Sequence, residues 1–424
     1  MGVAYAMTAK GEDCFIASVP EAGTCTFGVF DGHNGKRAAV HCRDVMCPKL
    51  VVEGPPYTLR KLSDAFWDAD RALGLSDTTD GTTASLLLVD RSEDLGTFLC
   101  TLGWVGDSTV VRLDMVGEDK VLFKTTTHRA VDPAEVARME LNWSVRKHLA
   151  AQRGGDAGSG LALQVDRNID LESRALQSTA SAIAPTEQEI AAAVAKLGLE
   201  GQLKASGIDA SVLQRALERE ILMELPERRR RLERVNSSLV SHLGVVGSAP
   251  SRVCGGRKRQ LTDDDKVAIS KLARQDSAAV LRDIEESWKG NKFGEVTTSV
   301  SRSIGDWDAA RVLIPQPEVL SFTLDQGRWE RIVLASDGLW DCCTLAEATS
   351  IACDKSASPL QAADRLVKKV AKPPGGRAGG PMDDVTVVVV DLDLTGNGPA
   401  AKSHRISRMV GGGGGGGGCV CSIQ

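Results

Sequence analysis

Short apolar runs separated by polar stretches characterise the first 140 residues of the chain. Three of these runs, at 27–30, 85–89 and 110–113, have the length and composition of buried β-strands. Between them, apolar residues recur at helical spacing over 36–50 and 59–73. This part of the chain therefore predicts strands that alternate with helices.

The pattern changes between residues 145 and 290, where strand signals vanish and Ala, Glu, Gln and Arg dominate. Leu213, Leu217, Ile221 and Leu225 recur every four residues, which predicts a helix, and Asp209 stands where it could cap that helix. We expect a long insertion here that is helical or disordered.

Strand patterning resumes after residue 293, with apolar runs at 331–335 and 385–391 and a helical stretch at 356–370. From residue 395 the chain is rich in glycine and polar residues and predicts a flexible tail. The predicted organisation is a discontinuous domain at 1–140 and 293–394, an insertion at 141–292 and a tail at 395–424.

Composition narrows the class of protein. Of the 424 residues, 42% are hydrophobic and 25% are charged, with a formal net charge of -5, so we expect a globular protein that does not bind nucleic acid. No apolar run reaches the roughly 18–20 residues of a membrane helix, and no signal peptide is visible. The 11 cysteines include no Cys-x2-Cys pair. Because the cysteine count is odd and no secretory signal is visible, we expect a cytoplasmic protein with reduced thiols. We also expect a monomer.

Four aspartates lie at the ends of predicted strands. Asp31, Asp107 and Asp337 each follow an apolar run, and Asp383 precedes one. Any one of these could belong to an ordinary turn. Carboxylates that converge at one edge of a sheet repel each other unless a cation neutralises them, and oxygen ligands favour Mg2+ or Mn2+. Two such ions can clamp a phosphate group.

The order of the acidic motifs resembles that of the metal-dependent protein phosphatases of type 2C. The motifs that carry this resemblance are, in chain order, Glu12-Asp13, Phe30-Asp31-Gly32-His33, Asp80-Gly81-Thr82-Thr83, Gly106-Asp107-Ser108, Ser301 to Asp306, Ser336-Asp337-Gly338 and Asp383-Asp384. The resemblance implies an α+β fold, a four-layer α-β-β-α sandwich of two antiparallel sheets flanked by helices. It also implies hydrolysis of phosphoserine and phosphothreonine in phosphoproteins, by attack of a metal-bridging hydroxide.

The resemblance implies a role for each motif residue. His33 would be the general acid, and Asp31 would bridge two Mg2+ or Mn2+ ions with help from the Gly32 carbonyl. The other implied metal residues are Asp337 and Asp383 at the first ion, and Glu12 and Asp13 through bound water. Asp107 and Asp341, with Asp337, would form a weaker third site. Thr82 and Thr83 would orient the strand beside the metals, and His128 and Asp306 would be structural.

The chain departs from the family pattern at several positions. The family has an arginine before the Glu-Asp pair that grips the substrate phosphate, whereas here only Lys10 supplies a positive charge. Asn34 replaces a common glycine, Asp384 replaces asparagine, and the usual first strand is expected to be short or absent. Two alternatives to a protein phosphatase therefore stay open: an inactive scaffold that acts through its insertion, and a phosphatase of small molecules.

The last residues form a second candidate site. Cys421-Ser422-Ile423-Gln424 fits the Cys-a-a-X prenylation pattern with a terminal residue that favours farnesyl, and Cys419 could take a second lipid. Eight glycines at 411–418 would be a flexible linker between the catalytic domain and the membrane. We expect peripheral association with the cytoplasmic face of a membrane; the alternative is a low-complexity tail that ends in cysteine by chance.

Overall fold

The apolar runs at the two ends of the chain form two five-stranded antiparallel sheets in a computed structural model of the protein. The structure describes residues 2–6, 10–20, 23–76, 78–92, 96–117, 120–129, 132–152, 180–181, 184–224, 299–307, 313–371 and 383–395. The strands in chain order are β1 Gly2–Ala6, β2 Cys14–Ser18, β3 Cys25–Phe30, β4 Gly32–His33, β5 Gly81–Thr82, β6 Ala84–Ser92, β7 Thr97–Val105, β8 Thr109–Asp114, β9 Val121–Lys124, β10 Ile304–Gly305, β11 Glu318–Leu324, β12 Trp329–Ala335 and β13 Val385–Asp393.

Eleven helices lie between these strands in the described residues, if a π-helical turn at Cys42–Met46 is counted as one of them. The α-helices are α1 Arg37–His41, α2 Cys47–Glu53, α3 Leu59–Gly74, α4 Pro133–Gln152, α5 Glu187–Leu197, α6 Glu200–Ala205, α7 Ala210–Glu224, α8 Asp337–Trp340, α9 Leu345–Ala352 and α10 Pro359–Ala371. The helix predicted at 36–50 is thus a succession of α1, the π-helical turn and α2. None of the described helices is long and apolar enough to cross a membrane.

The first sheet has the strand order β1-β13-β12-β8-β9 and the second has the order β11-β7-β6-β3-β2. The first strand, which was expected to be short or absent, is present as the five-residue β1, paired with β13. The apolar run of β13 is buried on both faces. Val388 and Val390 pack in the core between the two sheets, whereas Val387 and Val389 pack with residues of α8–α10.

Helices also cover the outer face of the second sheet. A Cβ atom added at Gly103 of β7 would lie 2.5 Å from Leu62 of α3, so this helix lies directly on the sheet. The α+β architecture implied by the resemblance, two antiparallel sheets with helices on both outer faces, is confirmed.

The chain divides into two units. The first contains both sheets and comprises Met1–Ala69, Asp80–Thr127 and Pro317–Gln424. The second comprises Asp70–Thr79 and His128–Gln316 and contains α4–α7. Helix α4 continues across residue 140.

The predicted helical stripe in the second unit is buried along α7. Leu213, Leu217 and Ile221 are almost fully buried, and Leu225 lies outside the described residues. The Asp209 carboxylate accepts the backbone N–H of Val212 at 3.0 Å, so the predicted cap is present.

A buried ion cluster joins α4 to residues 301 and 302 in the second unit. Glu135 accepts hydrogen bonds from Arg138 and Arg302, each at 2.9 Å, and from the Ser301 hydroxyl at 2.7 Å. Burial alone would raise the pKa of Glu135, but Arg138 and Arg302 outweigh it and hold that pKa well below its usual range. The buried His128 accepts the Ser301 N–H with its carbonyl at 2.8 Å, which agrees with the structural role expected of it.

Candidate metal centre

Asp31 follows the last residue of β3, and two threonines fix its backbone. Its carbonyl accepts the N–H of Thr83 at 2.9 Å and the hydroxyl of Thr82 at 3.0 Å. Its own N–H donates to the Thr83 hydroxyl at 3.3 Å. The two threonines therefore hold the strand end in place, as the sequence predicted.

The Asp31 carboxylate lies among other carboxylates. Burial raises its pKa well above the usual range, and the negative charges of Asp13, Asp337 and Asp107 raise it further. The Asp31 and Asp337 side chains lie within hydrogen-bonding reach of each other. Carboxylates crowded in this way repel one another, so the cluster is short of positive charge.

Asp337 begins the short helix α8, directly after β12. Burial raises its pKa to about 6, with further contributions from Asp107 and Asp341. Asp341 follows the last residue of this helix; its N–H donates to the Asp337 carbonyl at 2.8 Å, and the residue is exposed. Asp107 is buried and follows Gly106, which has a positive φ of 87°. The three residues predicted to form a weaker third site thus lie together.

Asp13 is almost fully buried in the cluster. Neither of its carboxylate oxygens has a hydrogen-bond partner of normal geometry among the described residues. Burial raises its pKa to about 6; the hydroxyls of Thr386 and Ser336 lower the pKa in part, and Asp384 raises it. A buried carboxylate with unoccupied lone pairs is costly unless a cation binds it.

Glycine is required where the Glu12-Asp13 segment passes the loop after β3. A Cβ atom on Gly32 would lie 2.6 Å from the Glu12 carbonyl oxygen. A Cβ atom on Gly338 would likewise overlap the Asp384 carbonyl oxygen. The close packing of three backbone segments brings Glu12, Asp31 and Asp337 to one place.

Residues 10–13 are joined to the start of β13. The Asp384 carboxylate accepts the Glu12 backbone N–H at 2.8 Å, and the Lys10 ammonium lies 3.0 Å from both oxygens of Asp383. The hydrogen bond to Asp383 is the main cause that raises the pKa of Lys10. Lys10, expected to face substrate phosphate, is therefore paired with a predicted metal ligand in this structure.

His33 lies on β4, next to Gly32, where it pairs with Gly81 of β5 and is partly buried. Asn34 adopts a left-handed φ of 59°, the geometry expected of an asparagine that replaces glycine. The following Gly35 packs against the Asp80 carboxylate, which also accepts the Arg37 N–H at 2.7 Å. Asp80 thus fixes the loop after His33, a role that no sequence pattern predicts.

The structure brings together all the predicted metal residues of the described chain. No three of the described acidic, histidine or cysteine side chains are already arranged as a metal-ligand set. The residues nevertheless fit a divalent cation, because the buried Asp13 oxygens have no partner of normal geometry and all the donors are oxygens. The predicted lipidation sites Cys419 and Cys421 lie outside the described residues.

A family model described as protein phosphatase 2C matches residues 17–146 and 283–374, more than half of the chain. The chain belongs to the protein phosphatase 2C family. Among curated members, it is 38% identical over 93 residues to probable protein phosphatase 2C 40 of Oryza sativa subsp. japonica, and 36% identical over 106 residues to protein phosphatase 1L of Bos taurus. These matches cover 22% and 24% of this chain, and 18% and 28% of the two relatives.

Solved structures of the protein phosphatase 2C family also align with the chain. Serine-threonine phosphatase 2C from Toxoplasma gondii aligns with a TM-score of 0.46 at 16% identity, over 91% of this chain and 92% of that one. The catalytic domain of the serine/threonine phosphatase PstP, in complex with two manganese ions, aligns with a TM-score of 0.38 at 14% identity, over 92% of this chain and 99% of that one.

Proposed function

We propose that the chain is a divalent-cation-dependent phosphatase that hydrolyses phosphoserine and phosphothreonine in proteins. The observation that carries the proposal is the buried carboxylate cluster of Asp13, Asp31 and Asp337, which is short of positive charge at the positions where family members carry acidic motifs. Membership of the protein phosphatase 2C family supports it.

Asp31, with the Gly32 carbonyl, and Asp337 and Asp383 would hold two Mg2+ or Mn2+ ions. Glu12 and Asp13 would bind through water, and Asp107 and Asp341 would serve a weaker third ion. Bound cations would neutralise the phosphate oxygens and acidify the attacking water. The buried position of the cluster favours this, because charges attract more strongly where water is excluded.

His33 is proposed to donate the proton that the departing serine or threonine oxygen needs. Proton donation of this kind contributes on the order of 10²–10⁴-fold, and it matters most for a poor leaving group such as an alkoxide. His33→Gln should therefore lower kcat strongly on a phosphothreonine peptide and only weakly on an aryl phosphate, whose leaving group needs no proton. Equal losses on both substrates would contradict the role.

The proposed activity is tested by phosphate release from a phosphothreonine peptide. We expect release with Mn2+, none with EDTA, and a loss of at least about 100-fold in Asp337→Ala, because the cluster would lose a cation ligand. The matched control is Asp64→Ala, which removes a half-exposed acid of α3 that lies 3.7 Å from Arg60. Faster turnover of phosphorylated metabolites than of phosphopeptides would favour a small-molecule phosphatase instead.

The scaffold alternative is supported by one observation, the buried apolar residues of the second unit. Apolar residues of α4, α5 and α7 are buried there, among them Leu141, Ile190 and Leu217. A protein that acts only through this unit would have no need of two cations. Calorimetric titration with Mn2+ separates the two functions, since a scaffold predicts no binding.

Membrane association through the tail is also a proposal, supported by the residue pattern of 421–424 alone. One lipid chain gives marginal membrane binding, so a second lipid on Cys419 would be needed for stable anchoring. Cys421→Ser should move the chain from the membrane fraction to the supernatant. An unchanged distribution would rule out the anchor.

A further inference from the structure

We infer that Lys10 is an internal counter-ion that competes with the divalent cation for Asp383, so that entry of the cation releases the Lys10 ammonium. The inference rests on the proposed function, since it takes Asp383 to be a cation ligand. It goes beyond that function because it gives Lys10 a role before any substrate is bound.

The ion pair occupies the oxygens that a cation would need. The Lys10 nitrogen lies 3.0 Å from Oδ1 and 3.0 Å from Oδ2 of Asp383, and Oδ1 also accepts the backbone N–H of Asp384 at 2.9 Å. A carboxylate oxygen has two lone pairs, so Oδ1 is fully used and Oδ2 has one lone pair left. A cation that uses Asp383 fully must therefore displace the ammonium.

Lys10 is not needed to hold the N-terminal segment in place. The Glu12 N–H already joins this segment to the buried Asp384 at 2.8 Å. The Lys10 and Asp383 side chains are 54% and 44% exposed, and an exposed ion pair contributes at most about 1 kcal/mol to stability. The consequence of the pair should thus be seen in cation binding and hardly at all in the free energy of unfolding.

A lysine at this position can pair with the Asp383 carboxylate and still be displaced from it when a divalent cation binds. A lysine carries a compact charge on a flexible stem and binds a carboxylate as a point charge, without the rigid fork of arginine. Such a pair exchanges readily for another partner. Once displaced from Asp383, the Lys10 ammonium remains two residues from Glu12, where it can pair with an oxygen of the substrate phosphate.

The test is calorimetric titration of the full chain with Mn2+. Lys10→Met should bind Mn2+ about two- to fivefold more tightly, the range that corresponds to loss of an exposed ion pair. Lys10→Arg, which keeps the charge and the pairing, should not bind more tightly than the unaltered chain. The matched control is Lys49→Met, because the Lys49–Asp68 pair has similar exposure, 52% and 48%, and lies outside the acidic cluster.

Equal or weaker Mn2+ binding by Lys10→Met would overturn the inference, as would the same tightening in Lys49→Met. Absence of Mn2+ binding by the unaltered chain would overturn the proposed function as well, so the two failures are distinguishable. Release itself is seen by NMR of 15N-labelled lysine. The Lys10 ammonium signal should shift on saturation with diamagnetic Mg2+ while that of Lys49 stays, and an unshifted Lys10 signal would contradict release.

Discussion

The Asp384 carboxylate accepts the backbone N–H of Glu12 at 2.8 Å, although the two residues are 372 positions apart in the chain. Asp384 is almost fully buried, so this bond fixes the position of the Glu12-Asp13 pair relative to the start of β13. An aspartate at a position where asparagine is usual therefore has a structural role here, as acceptor for a backbone donor.

Asp384→Ala should lower the free energy of unfolding by about 1–3 kcal/mol, because the Glu12 N–H loses its partner in a partly buried place. Asp384→Asn should cost much less, since its side-chain oxygen can still accept that hydrogen. Urea denaturation of the three chains measures the difference. Equal losses in both variants would show that the carboxylate charge, and not the hydrogen bond, is what matters.

Gly32→Ala should damage the acidic cluster through sterics alone. The new Cβ atom would lie 2.6 Å from the Glu12 carbonyl oxygen, so one of the two backbone segments must move, at a cost of about 1–3 kcal/mol. We expect phosphopeptide hydrolysis to fall about tenfold or more, since small displacements at a reacting centre are costly.

The control for that variant is Gly201→Ala, in α6. A Cβ atom at Gly201 would meet nothing within 4 Å, so the substitution should stabilise the chain by about 0.5–1 kcal/mol through helix propensity. Activity should stay unchanged. Full activity of Gly32→Ala would contradict the tight backbone packing around the cluster.

The buried Glu135 should make stability depend on pH. Its pKa in the folded state lies below its usual range, so its contribution is present above the unfolded pKa of roughly 4.3 and is lost as pH falls below it. The slope from this one group cannot exceed about 1.4 kcal/mol per pH unit. Urea denaturation between about pH 5 and 3 should show this loss.

Glu135→Gln isolates the effect. Asp13 and Asp337 have raised pKa values, so their contribution has the opposite sign and falls as pH rises from about 4 to 6. It is the same in both chains and cancels in the difference between them. The variant should be strongly destabilised at pH 7, because Arg138 and Arg302 lose their carboxylate, and the difference should shrink on acidification. A difference that is constant with pH would contradict the assignment.

Half of the ten strands in the two large sheets were predictable, because those strands are largely buried and therefore read as continuous apolar runs. Strands β3, β6, β8, β12 and β13 coincide with such runs. The π-helical turn at Cys42–Met46 was not predictable, since one wider turn barely disturbs the helical spacing of apolar residues.

The acidic residues of the site were predictable from the order of their motifs, and the contacts that organise them were not. The pair of Lys10 with Asp383 and the bond of Glu12 to Asp384 join residues more than 370 positions apart. No local pattern links such residues; only the antiparallel packing of β13 in the first sheet brings its start to the Glu12 segment. The same holds for Asp80, whose contact with the loop after His33 crosses 43 positions.

The number of Mn2+ ions that the chain binds with and without Asp31 tests the proposed metal centre. We expect about two ions per chain at the acidic cluster, and at most one in Asp31→Asn, because the shared ligand of both ions is removed. The Asp64→Asn control should retain both. An Asp31→Asn chain that binds as many Mn2+ ions as the unaltered protein, with the same affinity, would contradict a two-ion centre that shares Asp31.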